Sequence, residues 1–181
     1  MIDSKEASAA LSDIDEMIRR VRQSQTYHLA SLIMMLWGVL VFAGNISTWL
    51  SPREGNHIWI AVNIAGSLST LAFMYFRTGR HGFDVRMLVA YVLFFAFGYL
   101  YTKVLGDFTP RQLGTFWPIY FMLFYAIAGL WFGSAFVLIA ICVSVLTLMG
   151  YFYVGGLTFL LWMAFVNGGG LILGGLWMRR I

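Results

Sequence analysis

The sequence predicts an all-α, polytopic membrane protein: a bundle of six transmembrane helices preceded by an amphipathic cytoplasmic helix. Three observations carry this. Of the 181 residues, 60% are hydrophobic and only 11% charged, with a mean hydropathy of +0.78; a soluble domain carries roughly 25% charged residues. The hydrophobic residues are gathered into runs of about 20, the length a helix needs to cross about 30 Å of hydrocarbon. The Lys and Arg residues outside those runs are distributed unequally between alternate breaks. A soluble globule of this length could not bury so much apolar surface, and disordered or collagen-like chains have different compositions.

Two units are expected, residues 1–26 and residues 27–181. In the first, Leu11, Ile14, Ile18 and Val21 are spaced 3, 4, 3 and form an a/d stripe about two heptads long. Asp15 precedes Arg19 and Glu16 precedes Arg20 by four residues, the favourable order for ion pairs and for the helix dipole. A helix over 3–25 follows, running into or close to the first span. Its stripe has three possible occupants. One is the cytoplasmic leaflet, with Arg19, Arg20 and Arg22 at anionic headgroups. The others are loops of this chain or of a second copy, and a separate cytoplasmic protein. Two heptads are too short for a free-standing coiled coil. The charged start and the lack of a small-residue cleavage site argue against a signal peptide.

The spans read as His28–Leu50, Ile58–Phe76, Met87–Gly106, Thr115–Gly133, Ser134–Tyr153 and Val154–Trp177. Segments 51–57, 77–86 and 107–114 separate the first four and hold turn-forming Gly, Pro, Asp and Asn. Only Gly133-Ser134 and Val154-Gly155-Gly156 divide residues 115–177. One helix of that length would reach about 95 Å, so at least two turns are required.

Orientation follows from the basic residues. With a cytoplasmic N-terminus, nine lie inside (Lys5, Arg19, Arg20, Arg22, Arg77, Arg80, Arg86, Arg179, Arg180) and three outside (Arg53, Lys103, Arg111), in keeping with the positive-inside rule. The expected location is therefore the inner (plasma) membrane with both termini cytoplasmic. Trp49, Trp59 and Trp117 then fall near the outer interface and Trp131 and Trp177 near the inner one, as an aromatic belt. The net charge of +4 reports orientation and not a nucleic-acid surface.

Motifs for metalloproteases, redox thiols, serine nucleophiles, P-loops and dinucleotide folds are absent from the sequence. His28, His57 and His81 are dispersed, so no metal or haem pair is expected, and no cofactor. The single cysteine, Cys142, can form no intrachain disulfide. Nineteen of the 20 charged residues lie outside the spans; Lys103 is the exception. A span without Asp, Glu or His at mid-depth argues against proton coupling. Lys103 is expected to snorkel outward or to pair with Asp107.

Small residues mark helix contacts. Gly129–Gly133 and Gly170–Gly174 are GxxxG pairs, and Gly168 adds to a cluster that makes the sixth span a central helix. Asn45, Asn63, Tyr99, Lys103 and Tyr120 project to the outer third of the membrane, and Trp37 and Trp162 to mid-depth. Their polar atoms need partners, so they face the bundle. They either line a pocket open to the outside or form interhelical hydrogen bonds.

The pattern Phe116-Trp117-Pro118, Gly129-Leu130-Trp131, Gly168-Gly169-Gly170 and Gly174-Gly175-Leu176-Trp177 resembles small multi-pass bacterial inner-membrane proteins of no assigned function. The resemblance covers about the last 70 residues and implies no activity. Six spans with many glycines also look like the substrate-binding membrane subunits of energy-coupling-factor vitamin importers. No ligand motif of theirs is present, and the amphipathic extension is foreign to them. The expected function is a non-enzymatic sensory, regulatory or scaffolding module that senses an apolar or lipid-like ligand. Its expected partners are the bilayer and, through residues 3–25, another copy or a cytoplasmic protein. The alternative is a carrier, channel or importer subunit for a small neutral solute.

Overall fold

The computed structural model describes residues 4–78 and 85–180, with side chains described except at 4–12, 15–16, 18–26, 77–78, 85 and 87. One helix, α1 (Ser4–Leu50), contains both the amphipathic segment and the first apolar run. Residues 4–37 hold neither Gly nor Pro, the residues most often found where a helix is sharply kinked or broken. No break marks the boundary expected between positions 26 and 27.

After a short turn, α2 (Gly55–Thr78) returns alongside α1, followed by α3 (Val85–Val104) and α4 (Pro110–Phe132). α5 (Ser134–Tyr153) and α6 (Thr158–Met178) complete the chain. All regular structure among the described residues is helical. Five helical stretches are long and apolar enough to cross a membrane: Tyr27–Leu50, Pro52–Phe76, Pro110–Phe132, Ser134–Tyr153 and Thr158–Met178. In α3 the apolar stretch is shorter, Leu88–Val104.

α2 and α3 begin three and two residues before their expected spans, and the starts of α4 and α6 differ from the sequence reading by more. α4 begins at Pro110, five residues before the expected Thr115, because the apparent break is a start signal. Thr109 Oγ1 accepts from Gln112 N at 3.3 Å, and Gln112 Oε1 accepts from Thr109 N at 2.8 Å. This is a capping box with proline at the first helical position, where its missing N–H costs nothing. α6 begins at Thr158, four residues after the expected Val154, because the linker turns through Gly156 at φ +59°. The α4–α5 turn is a single residue, Gly133, at φ +135°, a conformation that residues with a β-carbon rarely adopt.

α1 packs on α6 and α2, α4 on α5, and α5 on α6, while α3 leans on α4. Tyr27, Met34, Met122, Phe136, Ile139 and Met178 are among the buried residues of the core that α1, α4, α5 and α6 share. Tyr27 meets Phe136 edge-on at 5.7 Å, tying α1 to the start of α5. α3 is held to α4 by rings: Phe94 stacks on Tyr120 at 4.0 Å and Phe95 on Trp117 at 5.2 Å.

Candidate functional site

The backbones of α1 and α6 touch. A β-carbon on Gly38 would lie 2.8 Å from Gly168 O and 2.9 Å from Ile172 N. One on Gly168 would lie 2.7 Å from the Phe42 backbone, and one on Gly175 2.7 Å from Ser31 O. Such approach lets dispersion hold helices together where no hydrophobic effect drives association. The contact includes a π-helical segment, Ala164–Gly169, inside α6. Within it Asn167 is buried; its Oδ1 faces Thr147 Oγ1 at 3.4 Å, and its Nδ2 faces Met163 Sδ at 3.4 Å.

The other glycines expected at helix contacts occupy different surroundings. A β-carbon on Gly129 would lie 2.8 Å from Val137 N, across the tight α4–α5 hairpin. Those on Gly170 and Gly174 would meet side chains, Val143 at 3.1 Å and Ile139 at 2.9 Å. Gly133 is the turn itself.

The seven polar and aromatic residues expected to line a pocket or bond between helices are distributed over several places. Trp37 donates Nε1–H to Thr70 Oγ1 at 3.0 Å, with its ring over Gly66. Tyr120 donates to Phe94 O at 3.0 Å and lies over Gly98. Trp162 donates to Leu146 O at 2.9 Å and fills the surface of Gly150. Asn45 and Asn63 donate within their own helices, to Val41 O at 2.9 Å and Trp59 O at 2.7 Å. Lys103 holds its ammonium 5.8 Å from the Tyr99 ring centre and forms no ion pair among the described residues. Every buried side-chain nitrogen and oxygen among those residues has a partner.

Asn63 and Tyr99 share one surface, a groove of about 550 Å³ lined by α2 and α3 and open at the protein surface. Ser67 and Leu68 of α2 and Tyr91 and Phe95 of α3 continue its almost wholly apolar lining. Ser67 Oγ and Tyr91 OH bond across it at 3.1 Å.

Three aromatic rings thus seat on glycines of neighbouring helices: Trp37 on Gly66, Tyr120 on Gly98 and Trp162 on Gly150. Neither these three glycines nor Gly38 stood out in the small-residue rows. The signal at Gly38, Gly98 and Gly150 is a lone glycine within a run of mostly large residues, which marks close approach of something; Gly66, between Ala65 and Ser67, lacks even that. Arg111 also has a role that charge counting missed. Its guanidinium donates to Gly150 O at 3.4 Å and to Tyr151 O, and lies 5.4 Å and 4.9 Å from the Tyr151 and Phe159 ring centres. It thereby caps the carbonyl end of α5 and pins the α5–α6 connection, where a cation also meets the negative end of the helix dipole.

Of the amphipathic stripe, Ile14 is exposed, as are its neighbours Asp13 and Met17. The side chains of Leu11, Ile18, Val21, Arg19, Arg20 and Arg22, and the whole of segment 79–84, lie outside the described residues. Comparison of the chain with protein-family models, curated proteins and solved structures returns no match.

Proposed function

We propose that this is a six-span protein of the inner membrane with both termini cytoplasmic, acting without catalysis as a sensory, regulatory or scaffolding module whose output element is the amino-terminal helix. The observation that carries this reading is the continuity of α1 from Ser4 to Leu50. At 1.5 Å per residue it measures about 70 Å, and Tyr27–Leu50 accounts for about 36 Å. The remainder has no residue that would bend it into the plane of the membrane, which favours projection into the cytoplasm. An apolar stripe carried on such a projection reaches a partner more readily than it reaches the leaflet. Because α1 and α6 touch backbone to backbone, a ligand that favours one arrangement of the bundle biases the position of the stripe.

The nine-to-three distribution of basic residues supports the orientation. Leu88–Val104 of α3 spans about 26 Å, close to the hydrocarbon thickness, and supports counting it as the sixth crossing. The test is chemical cross-linking of membranes that contain either the full chain or a chain lacking residues 1–25. A cytoplasmic partner joined to the full chain and lost from the shortened one is the expected result. Identical partners in both, or a solute flux in vesicles that is unchanged by the deletion, would overturn the reading.

A further inference from the structure

The groove between α2 and α3 contains little that a polar solute could use. Of its three hydroxyls, those of Ser67 and Tyr91 are bonded to each other and that of Tyr99 lies at the end nearest Lys103, while the Asn63 amide nitrogen is engaged by Trp59 O. A solute pocket needs convergent polar groups left available to orient its ligand. The groove does not suit a second helix either. Close helix packing in lipid uses small residues, whereas Leu68, Tyr91, Val92, Phe95 and Tyr99 present large ones here, with Ser67 and Ala96 the small ones among them. A flexible hydrocarbon chain fits such an irregular apolar surface.

One charge stands at the end of this groove. On α3, Val92, Phe95, Ala96 and Tyr99 line it, and Lys103 continues the same face one turn beyond Tyr99. The Lys103 ammonium sits 5.8 Å from the ring centre of Tyr99, itself a groove residue, with no carboxylate paired to it among the described residues. Tyr91 to Tyr99 covers about 12 Å of α3, and Lys103 lies about 6 Å further along. We propose that the α2–α3 groove binds one anionic phospholipid, with an acyl chain along Leu68, Phe95 and Ala96 and the headgroup phosphate at Lys103. The apolar floor and the single cation at its mouth match the two parts of that molecule. Because the groove is open at the surface, an acyl chain can enter it without the helices parting.

This inference deepens the reading of the bundle as a module that responds to a lipid-like ligand. It is tested on the full chain, stripped of lipid in neutral detergent, by native mass spectrometry during titration with phosphatidylglycerol or phosphatidylcholine of identical acyl chains. The expected first-binding preference for phosphatidylglycerol is at least fivefold. Lys103→Gln brings the ratio close to one and Lys103→Arg retains it. Ala96→Phe, at an exposed position that tolerates a larger side chain, weakens first binding of both lipids at least fivefold. Arg53→Gln, a charge removed from the exposed α1–α2 turn, leaves the ratio unchanged. Equal binding of the two lipids by the unaltered chain, an unchanged ratio in Lys103→Gln, or an equal loss in Arg53→Gln overturns the site. So does a dimer that Ala96→Phe dissociates, which makes the groove an interface between copies. Loss of lipid preference while residues 1–25 still capture a partner sinks the site alone; the reverse outcome sinks the module.

Discussion

Trp162 occupies the space that a β-carbon on Gly150 would need, and the same indole donates its N–H to Leu146 O at 2.9 Å, one turn back along α5. Notch and hydrogen bond together place α6 against α5 in one rotation and one register. Replacing Gly150 with Val forces the indole out and breaks both. Overpacking of this kind costs about 1–3 kcal/mol. A lowered midpoint of thermal unfolding in detergent, read by tryptophan fluorescence, is the expected outcome. Trp162→Ala in the Gly150→Val background should recover part of the loss; further destabilisation by the second change would count against the notch.

Gly168 and Gly169 are adjacent in sequence and differ in surroundings. A β-carbon on Gly168 would lie 2.7 Å from the Phe42 backbone, which cannot rotate away, whereas one on Gly169 meets nothing within 4 Å. Gly168→Ala should therefore destabilise by about 1–3 kcal/mol. Gly169→Ala should be neutral, or stabilising by up to about 1 kcal/mol through reduced backbone freedom. Comparable losses in the two variants, measured by equilibrium unfolding, would mean that α1 and α6 do not touch at this point.

Arg111 holds the end of α5 through charged hydrogen bonds and two ring contacts. Arg111→Ala should cost about 1.5–3 kcal/mol, the range for hydrogen bonds to a charged group. Lys should restore less than half of it, because an ammonium cannot donate as a planar fork while lying over two rings. Hydrogen exchange of residues 150–157 should rise in Arg111→Ala and stay unchanged at the far end of α5. A uniform rise along the helix would point to general loosening instead.

Sidedness is checked with an impermeant thiol reagent in a Cys142→Ser background, which leaves each introduced cysteine as the single thiol of the chain. Reagent added outside should label Arg53→Cys and Gly155→Cys but not Arg80→Cys until the membrane is opened. Labelling of Arg80→Cys in sealed cells would invert the orientation.

Thr109→Ala removes the side-chain acceptor of the capping box at the start of α4. A loss of about 1 kcal/mol is expected. Thr109→Ser should restore it, and calorimetry of the two variants in the same detergent decides the matter.

The helices were legible because the rule that makes them is local. A backbone in hydrocarbon must satisfy its own hydrogen bonds, so an apolar run of sufficient length becomes a helix whatever surrounds it. Ser134–Tyr153 coincides residue for residue with its expected span for that reason. The start of α4 was misplaced because Thr109-Pro110 reads both as a turn and as a helix start, and the capping partner three residues on decides between them. Trp37, Tyr120 and Trp162 were legible as rings with polar atoms to satisfy, though each is only half-buried. Which neighbour each would find was not.

What the sequence alone determined about this protein is that its chain is helical and built of runs that suit a membrane, with one charge among them. The tertiary structure decided that Trp37 lies over Gly66 and Trp162 over Gly150, that Arg111 caps a helix 39 residues further along the chain, and that Asn63 and Tyr99 share a groove. Periodicity within one helix defines a face but carries no information on the rotation or register of the helix that meets it. Those are set when small residues of one helix admit the backbone or rings of another, a pairing between distant positions that exists only once the bundle has formed.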